Sequence, residues 1–123
     1  MVGSKERLKI EGEAVTLPPD LASPFGLVLH ELATNAAKYG ALSQASGKVF
    51  MNWSVSARNN RPTLKFVWKE LGGPEVKEPD HSGYGTSVIE RGVPEAVVER
   101  EFSPDGLVFT IEFPLKAASL VTA

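Results

Sequence analysis

One long amphipathic segment limits the folds open to this chain more than any other feature of its 123 residues. From about Asp20 to Tyr39, apolar side chains recur at the i, i+3, i+4 and i+7 spacing of a helix that buries one face. The apolar residues of this stripe are Phe25, Val28, Leu29, Leu32 and Ala36. We therefore expect one principal helix packed against a second layer.

The ends of this helix carry their own signals. Pro18 and Pro19 interrupt the preceding chain, and either Asp20 or Ser23 is a candidate N-cap, which would place Pro24 in the tolerant first turn. Gly40 is a suitable residue immediately beyond the C-terminus.

Alternating apolar and polar residues predict strands on both sides of the helix. A short strand with one buried face is expected at 8–13, a hairpin at 49–55 and 64–68, and two final strands at 96–102 and 107–113.

These elements fit an α+β fold, a two-layer sandwich with helices on one face of a mixed, mostly antiparallel sheet. The gap at 71–82 lacks periodicity and predicts a loop, and a short helix is expected at about 86–91. The length suits one domain spanning 1–123, and its arbitrary N-terminal sequence suggests a fragment of a longer protein.

Composition excludes several classes of function. Thirteen basic and fifteen acidic side chains give a net charge of −2, which argues against nucleic-acid or anionic-membrane binding through a basic face. The absence of cysteine excludes disulfides and thiolate chemistry and is compatible with the cytoplasm, where we expect the protein to function.

The helix also carries a polar stripe, formed by Glu31, Thr34, Asn35 and Lys38. One interpretation is a solvated face with a Glu–Lys pair. The alternative is a ligand site, since an amide oxygen suits Mg²⁺ that is also bound by phosphates, and an ammonium group neutralises phosphate charge.

A second candidate feature follows the hairpin. Strand alternation places Glu70 on the inward face with Phe66 and Trp68, and an inward carboxylate needs a partner such as an adenine amino group. Gly72 and Gly73 would let the backbone approach a ligand closely, although Trp68 alone is compatible with an ordinary core residue.

A third feature is Gly83-Tyr84-Gly85, which precedes the expected short helix and could bind an anion through free N–H groups. His30 and His81, the two histidines, form no recognisable metal site.

In this order the motifs resemble the N, G1 and G2 boxes of the Bergerat ATP-binding fold, found in gyrase, histidine kinases and MutL. His30 in the N box and Trp68-Lys69-Glu70 in the G1 region resemble, more narrowly, the HWE histidine kinases. The resemblance extends from about Leu17 to Leu115.

The resemblance implies a role for each matching position. Asn35 would hold Mg²⁺ on the ATP phosphates, Lys38 would contact phosphate, and Tyr39 would pack near the nucleoside. Glu70 would bind the adenine amino group and Gly72 would admit the ring.

Three further positions follow from the same resemblance. Gly83, Tyr84 and Gly85 would line the phosphates as part of a lid. Glu31 occupies the catalytic-base position of the ATP-hydrolysing relatives. His30 is diagnostic of the group, with a structural or a direct role left open.

The implied activity is transfer of the ATP γ-phosphoryl group to a histidine on a separate dimerisation domain, with relay to a response regulator. We expect the isolated chain to be a monomer that binds ATP without autophosphorylating, and its parent protein to be a homodimer. Two alternatives are an ATPase that uses Glu31 as base and a non-catalytic scaffold that keeps the fold.

Overall fold

The computed structural model describes residues 7–74, 91–104 and 106–115. These residues form strand β1 (Leu8–Gly12), helix α1 (Pro19–Lys38), a 3₁₀ turn (Ala41–Ser43) and strands β2 (Lys48–Arg58), β3 (Arg61–Leu71), β4 (Val97–Ser103) and β5 (Gly106–Pro114). The sheet order is β1-β2-β3-β5-β4, in which β1 and β2 are parallel and the other pairs are antiparallel.

The predicted α+β class, with its mixed and mostly antiparallel sheet, is confirmed. The short helix expected at 86–91 lies almost entirely outside the described residues.

The start of α1 differs from the expectation. The N-cap is Pro18, which makes no side-chain capping bond, and the helix begins one residue before Asp20. The prediction of Asp20 or Ser23 as N-cap is therefore wrong, because Pro19 provides the preset φ angle favoured at the first helical position. Pro24 consequently lies within the helix and not in its first turn.

The β2–β3 hairpin is confirmed with a two-residue turn. Asn59 and Asn60 have φ angles of 55° and 64°, the left-handed pair that matches the twist of adjoining strands. The register places Trp68 opposite Met51 and Phe66 opposite Trp53. This turn therefore determines which residues of β3 face the helix.

The core lies between α1 and the sheet. Leu21, Phe25, Val28, Leu32 and Ala36 are the buried residues of the helix, and Leu29 packs at the margin. The Phe25 ring contacts Phe66 edge-on at 5.2 Å and Phe113 at 5.4 Å between centroids. The predicted apolar stripe is thus the interface between the two layers.

Strand β1 is present as predicted, but its expected buried face is not. All five residues are exposed, including Leu8 at 46% and Ile10 at 56%. The strand forms the edge of the sheet beside β2, and the buried residues of α1 pack instead with those of the central strands. Among the described residues, no helix is long and apolar enough to cross a membrane.

Candidate nucleotide site

The end of β3 turns a carboxylate into the protein. Glu70 is 3% exposed, and within residues 7–74, 91–104 and 106–115 it is the one charged side chain classed as buried. Its inward direction follows from the alternation that also buries Phe66 and Trp68. A buried carboxylate requires hydrogen-bond donors, so its partners define the site.

Two protein N–H groups supply those donors. The backbone N–H of Ala41 donates to Glu70 Oε1 at 3.0 Å, and the indole Nε1–H of Trp68 donates to Oε2 at 2.9 Å. The sequence predicts a ligand group such as the adenine amino group as the partner, whereas the protein itself provides one donor to each oxygen. Each carboxylate oxygen retains acceptor capacity for a further donor.

Three glycines near this carboxylate or its Ala41 donor lie where a side chain would collide with neighbouring atoms. A Cβ atom at Gly40 would overlap Glu70 Oε1, and one at Gly73 would overlap Ala41 Cα. Gly72 has a φ of +77°, and a Cβ there would lie 2.8 Å from the Ser46 carbonyl oxygen. Gly40 does follow the helix as predicted. Its φ of −112° is not left-handed, so the lack of a side chain matters there because of the nearby Glu70 Oε1.

The polar stripe of α1 ends at the same place. Glu31 and Thr34 are half-buried, whereas Asn35 and Lys38 are exposed. The backbone carbonyl of Asn35 accepts hydrogen bonds from the N–H groups of Tyr39 at 2.8 Å and Gly40 at 3.2 Å. Since Ala41 is bonded to Glu70, the structure joins the C-terminal end of α1 to the Glu70 carboxylate, across 29 positions of sequence.

Tyr39 lies at the C-terminal end of α1, two residues before Ala41, and is 68% exposed, so its ring is accessible to a ligand. His30 is exposed on α1. Gly83, Tyr84 and Gly85, together with His81, lie outside the described residues, and their predicted roles stay predictions.

The donor set suits magnesium only with help from a ligand. The described residues contain no group of three or more His, Asp or Glu side chains that could hold a metal ion. Asn35 offers one exposed amide oxygen, a hard donor. Mg²⁺ commonly keeps several waters and takes phosphate oxygens, so one protein ligand is compatible with a metal that arrives with a nucleotide.

Other polar features lie elsewhere. A depression of about 370 Å³ on β4 and β5 is lined by Glu99, Arg100, Glu101, Val108 and Thr110. At the start of β3, Arg61 forms a two-pronged salt bridge with Glu95 at 3.0 and 3.1 Å. Hydrogen bonding from this guanidinium lowers the pKa of the Glu95 carboxyl. The pair is exposed to solvent and contributes little to stability.

Three curated relatives are similar to the chain over most of its length. They are blue-light-activated histidine kinases from Brucella anthropi (35% identical over 114 residues), Erythrobacter litoralis (37% over 115) and Rhizobium johnstonii (32% over 111). The matches cover 90%, 89% and 88% of this chain, but only 23%, 31% and 32% of the relatives. The chain thus spans between about a quarter and a third of their length. No protein-family model matches it.

Solved structures agree with this placement. The histidine kinase domain of an Erythrobacter litoralis blue-light-activated kinase has a TM-score of 0.66 at 20% identity, covering 93% of this chain and 54% of that chain. The catalytic domain of the histidine kinase ThkA has a TM-score of 0.65 at 17% identity, covering 91% and 81%. At these identities the likeness shows the fold.

In sequence and in fold, the chain thus matches histidine kinase catalytic domains. Its own His30 and Trp68-Lys69-Glu70 agree with the resemblance to the HWE histidine kinases.

Proposed function

We propose that this chain is the ATP-binding catalytic domain of a two-component sensor histidine kinase, and that it forms one domain of a longer protein. In that protein it transfers the ATP γ-phosphoryl group to a histidine on a dimerisation domain, from which the group passes to a response regulator. The bond between γ-phosphorus and the β–γ bridging oxygen breaks, a bond from phosphorus to an imidazole nitrogen forms, and ADP leaves.

One observation carries the proposal. The buried carboxylate of Glu70 accepts a hydrogen bond from Ala41, the third residue after the helix that bears Asn35 and Lys38. A carboxylate accepts from the adenine amino group, while an amide oxygen and an ammonium group serve the phosphate end of the same molecule. A single extended ligand, ATP, can account for both groups of side chains.

The roles proposed for the exposed residues follow from their chemistry. Lys38, in the last turn of α1, offers a positive charge that neutralises phosphate and also complements the negative end of the helix dipole. Asn35 would ligate Mg²⁺ that arrives with ATP, and the metal would supply charge neutralisation on the phosphates. Tyr39 would cover the nucleoside, and Gly72 would let the backbone approach the base.

The remaining proposed roles concern positioning. Phosphoryl transfer depends mainly on holding the reactants in line and neutralising charge. Glu31 lies half-buried one turn before Asn35 and would orient the attacking group. His30 is assigned to the same end of the site, and Gly83, Tyr84 and Gly85 to a lid over the phosphates.

Calorimetric titration with a non-hydrolysable ATP analogue tests this proposal. We expect binding that requires Mg²⁺ and that weakens about tenfold or more in Glu70→Ala, because the amino group of adenine then lacks its acceptor. A suitable control is Glu101→Ala, which removes an exposed carboxylate on β4.

Absence of binding by the folded wild-type chain, with and without Mg²⁺, would overturn the proposal. Equal affinities for wild type and Glu70→Ala would remove Glu70 from the adenine site. Circular dichroism of each variant separates loss of binding from loss of fold.

A further inference from the structure

Trp68 combines two properties that a core residue need not have together. Its side chain is 3% exposed, and its indole N–H nevertheless reaches a carboxylate, Glu70 Oε2, at 2.9 Å. The two residues lie two apart on β3 and so share one face of the strand. Trp68 therefore lies beside the acceptor that the proposed function assigns to adenine.

The bond from Trp68 is one of two that fix the carboxylate plane. The terminal torsion of a glutamate side chain is broad, so a single hydrogen bond leaves the carboxylate free to rotate. The Ala41 N–H holds Oε1 and the Trp68 indole holds Oε2. With both oxygens held, the remaining lone pairs point in defined directions.

Gly40 limits the same group from the other side. A Cβ atom at position 40 would overlap Glu70 Oε1, so any side chain there would displace the carboxylate from the place where its two donors hold it. A carboxylate with fixed lone pairs is a preorganised acceptor, which binds a donor without first losing rotational freedom.

We propose that Trp68 is a positioning residue: its indole N–H orients the Glu70 carboxylate so that it accepts from the amino group of the base. This inference rests on the proposed function, because it assumes that Glu70 is the adenine acceptor. It assigns to Trp68 a share of the selectivity for an amino-bearing purine in addition to its packing.

The test compares two nucleotides on each protein. One is a non-hydrolysable ATP analogue, and the other is the same triphosphate carrying unsubstituted purine, which lacks the 6-amino group. The ratio of their dissociation constants reports the amino-group contact alone, since both share the phosphates, the sugar and the ring. We expect the wild-type chain to prefer the amino-bearing analogue by about tenfold.

Trp68→Phe removes the N–H and keeps an aromatic ring in the core. We expect it to lower the preference to below about threefold, chiefly by weakening the amino-bearing analogue. Trp53→Phe is the matched control. It also removes an indole N–H, but the Trp53 indole donates to the backbone carbonyl of Glu13 at 2.7 Å and not to Glu70. The preference should be unchanged in the control.

A ratio unchanged in Trp68→Phe, or an equal weakening of both nucleotides, would overturn the positioning role. If the wild-type chain binds neither nucleotide or shows no preference, the proposed adenine site itself fails. A third outcome is that the wild-type chain shows the preference while Glu70→Ala loses it and Trp68→Phe keeps it. In that case the adenine site stands, and only the positioning role of Trp68 fails.

A second substitution covers the case in which Trp68→Phe does not fold. In the Trp53→Phe background, position 68 holds the single remaining tryptophan. Its replacement there by the benzothiophene analogue of tryptophan retains both rings and exchanges N–H for sulfur. The same fall in the ratio is expected, and its absence contradicts the proposal.

Discussion

At the scale of single residues, replacement of Asn35 is expected to change nucleotide affinity without lowering the stability of the fold. It is exposed on α1, four residues before Tyr39, whose N–H its backbone carbonyl accepts. Asparagine is a weaker helix former than alanine, and an exposed side chain contributes little packing. The Asn35 side chain therefore contributes little to the stability of the helix, so its replacement can test its proposed role in binding.

Replacement of Asn35 by alanine should abolish magnesium-dependent ATP binding, with a loss of about 100-fold or more, because the amide oxygen is the protein's proposed metal ligand. The free energy of unfolding should stay the same or rise by about 0.5 kcal/mol, as expected for Asn→Ala in a helix. Calorimetry and urea unfolding measure the two effects.

Asn52→Ala is the control for this prediction, because Asn52 is exposed on β2, on the sheet face opposite to Met51 and Trp53, which pack against the core. It should leave nucleotide affinity unchanged. Full affinity in Asn35→Ala would remove Asn35 from the site.

The same scale shows what could be predicted from the sequence. Alternation along β3 was enough to turn Glu70 inward, because the strand period of two leaves no choice once Phe66 and Trp68 are buried. Its bond to Ala41 could not be predicted, since that residue lies 29 positions away. The Trp68 bond could have been foreseen from the i, i+2 spacing and a buried indole's need for an acceptor.

At the scale of elements, the start of β5 supports the end of β3. Gly106 has a φ of +138°, a region disfavoured for residues with a side chain, and a Cβ there would overlap the backbone carbonyl oxygen of Glu70. The first residue of β5 thus packs directly against the backbone of Glu70, whose carboxylate belongs to the candidate site.

Gly106→Ala should lower the free energy of unfolding by about 2–4 kcal/mol, the sum of backbone strain and a steric overlap. Urea denaturation monitored by tryptophan fluorescence would measure this. Because the displaced group is the Glu70 backbone, nucleotide binding should weaken in the fraction that remains folded.

Gly26→Ala is the matched control, with the opposite expected sign. Gly26 lies in α1, where a Cβ would meet nothing within 4 Å, so alanine should stabilise the helix by up to about 1 kcal/mol. If Gly106→Ala were as stable as the wild type, the close approach between β5 and β3 would be contradicted.

The sequence predicted the strongly periodic elements well. It predicted the start of α1 and the burial of the edge strand β1 less well. The apolar stripe of α1 determined its buried face, and the Asn59-Asn60 turn follows from two residues that tolerate positive φ. The start of α1 was misplaced because Pro19 could begin the helix without a polar cap. The burial of β1 was overestimated, since alternation does not reveal that a strand lies at a sheet edge.

At the scale of the molecule, the order of segments identifies the site better than any one motif. The helix with Asn35 and the strand with Glu70 near its end meet because the 3₁₀ turn at 41–43 returns the chain toward β3. The class of protein was predicted through the resemblance of these ordered motifs, and similarity to histidine kinases agrees with it. Packing around Glu70 depends on contacts between distant segments, which periodicity does not encode.

The most direct test of the central claim is a map of amide NMR shifts on titration with a non-hydrolysable ATP analogue and Mg²⁺. We predict that, within the described part of the chain, the largest changes lie at 35–41 and 68–73, where α1 and β3 meet. Changes confined to the depression of Glu99, Glu101 and Thr110 on β4 and β5, or none at all, would contradict the account.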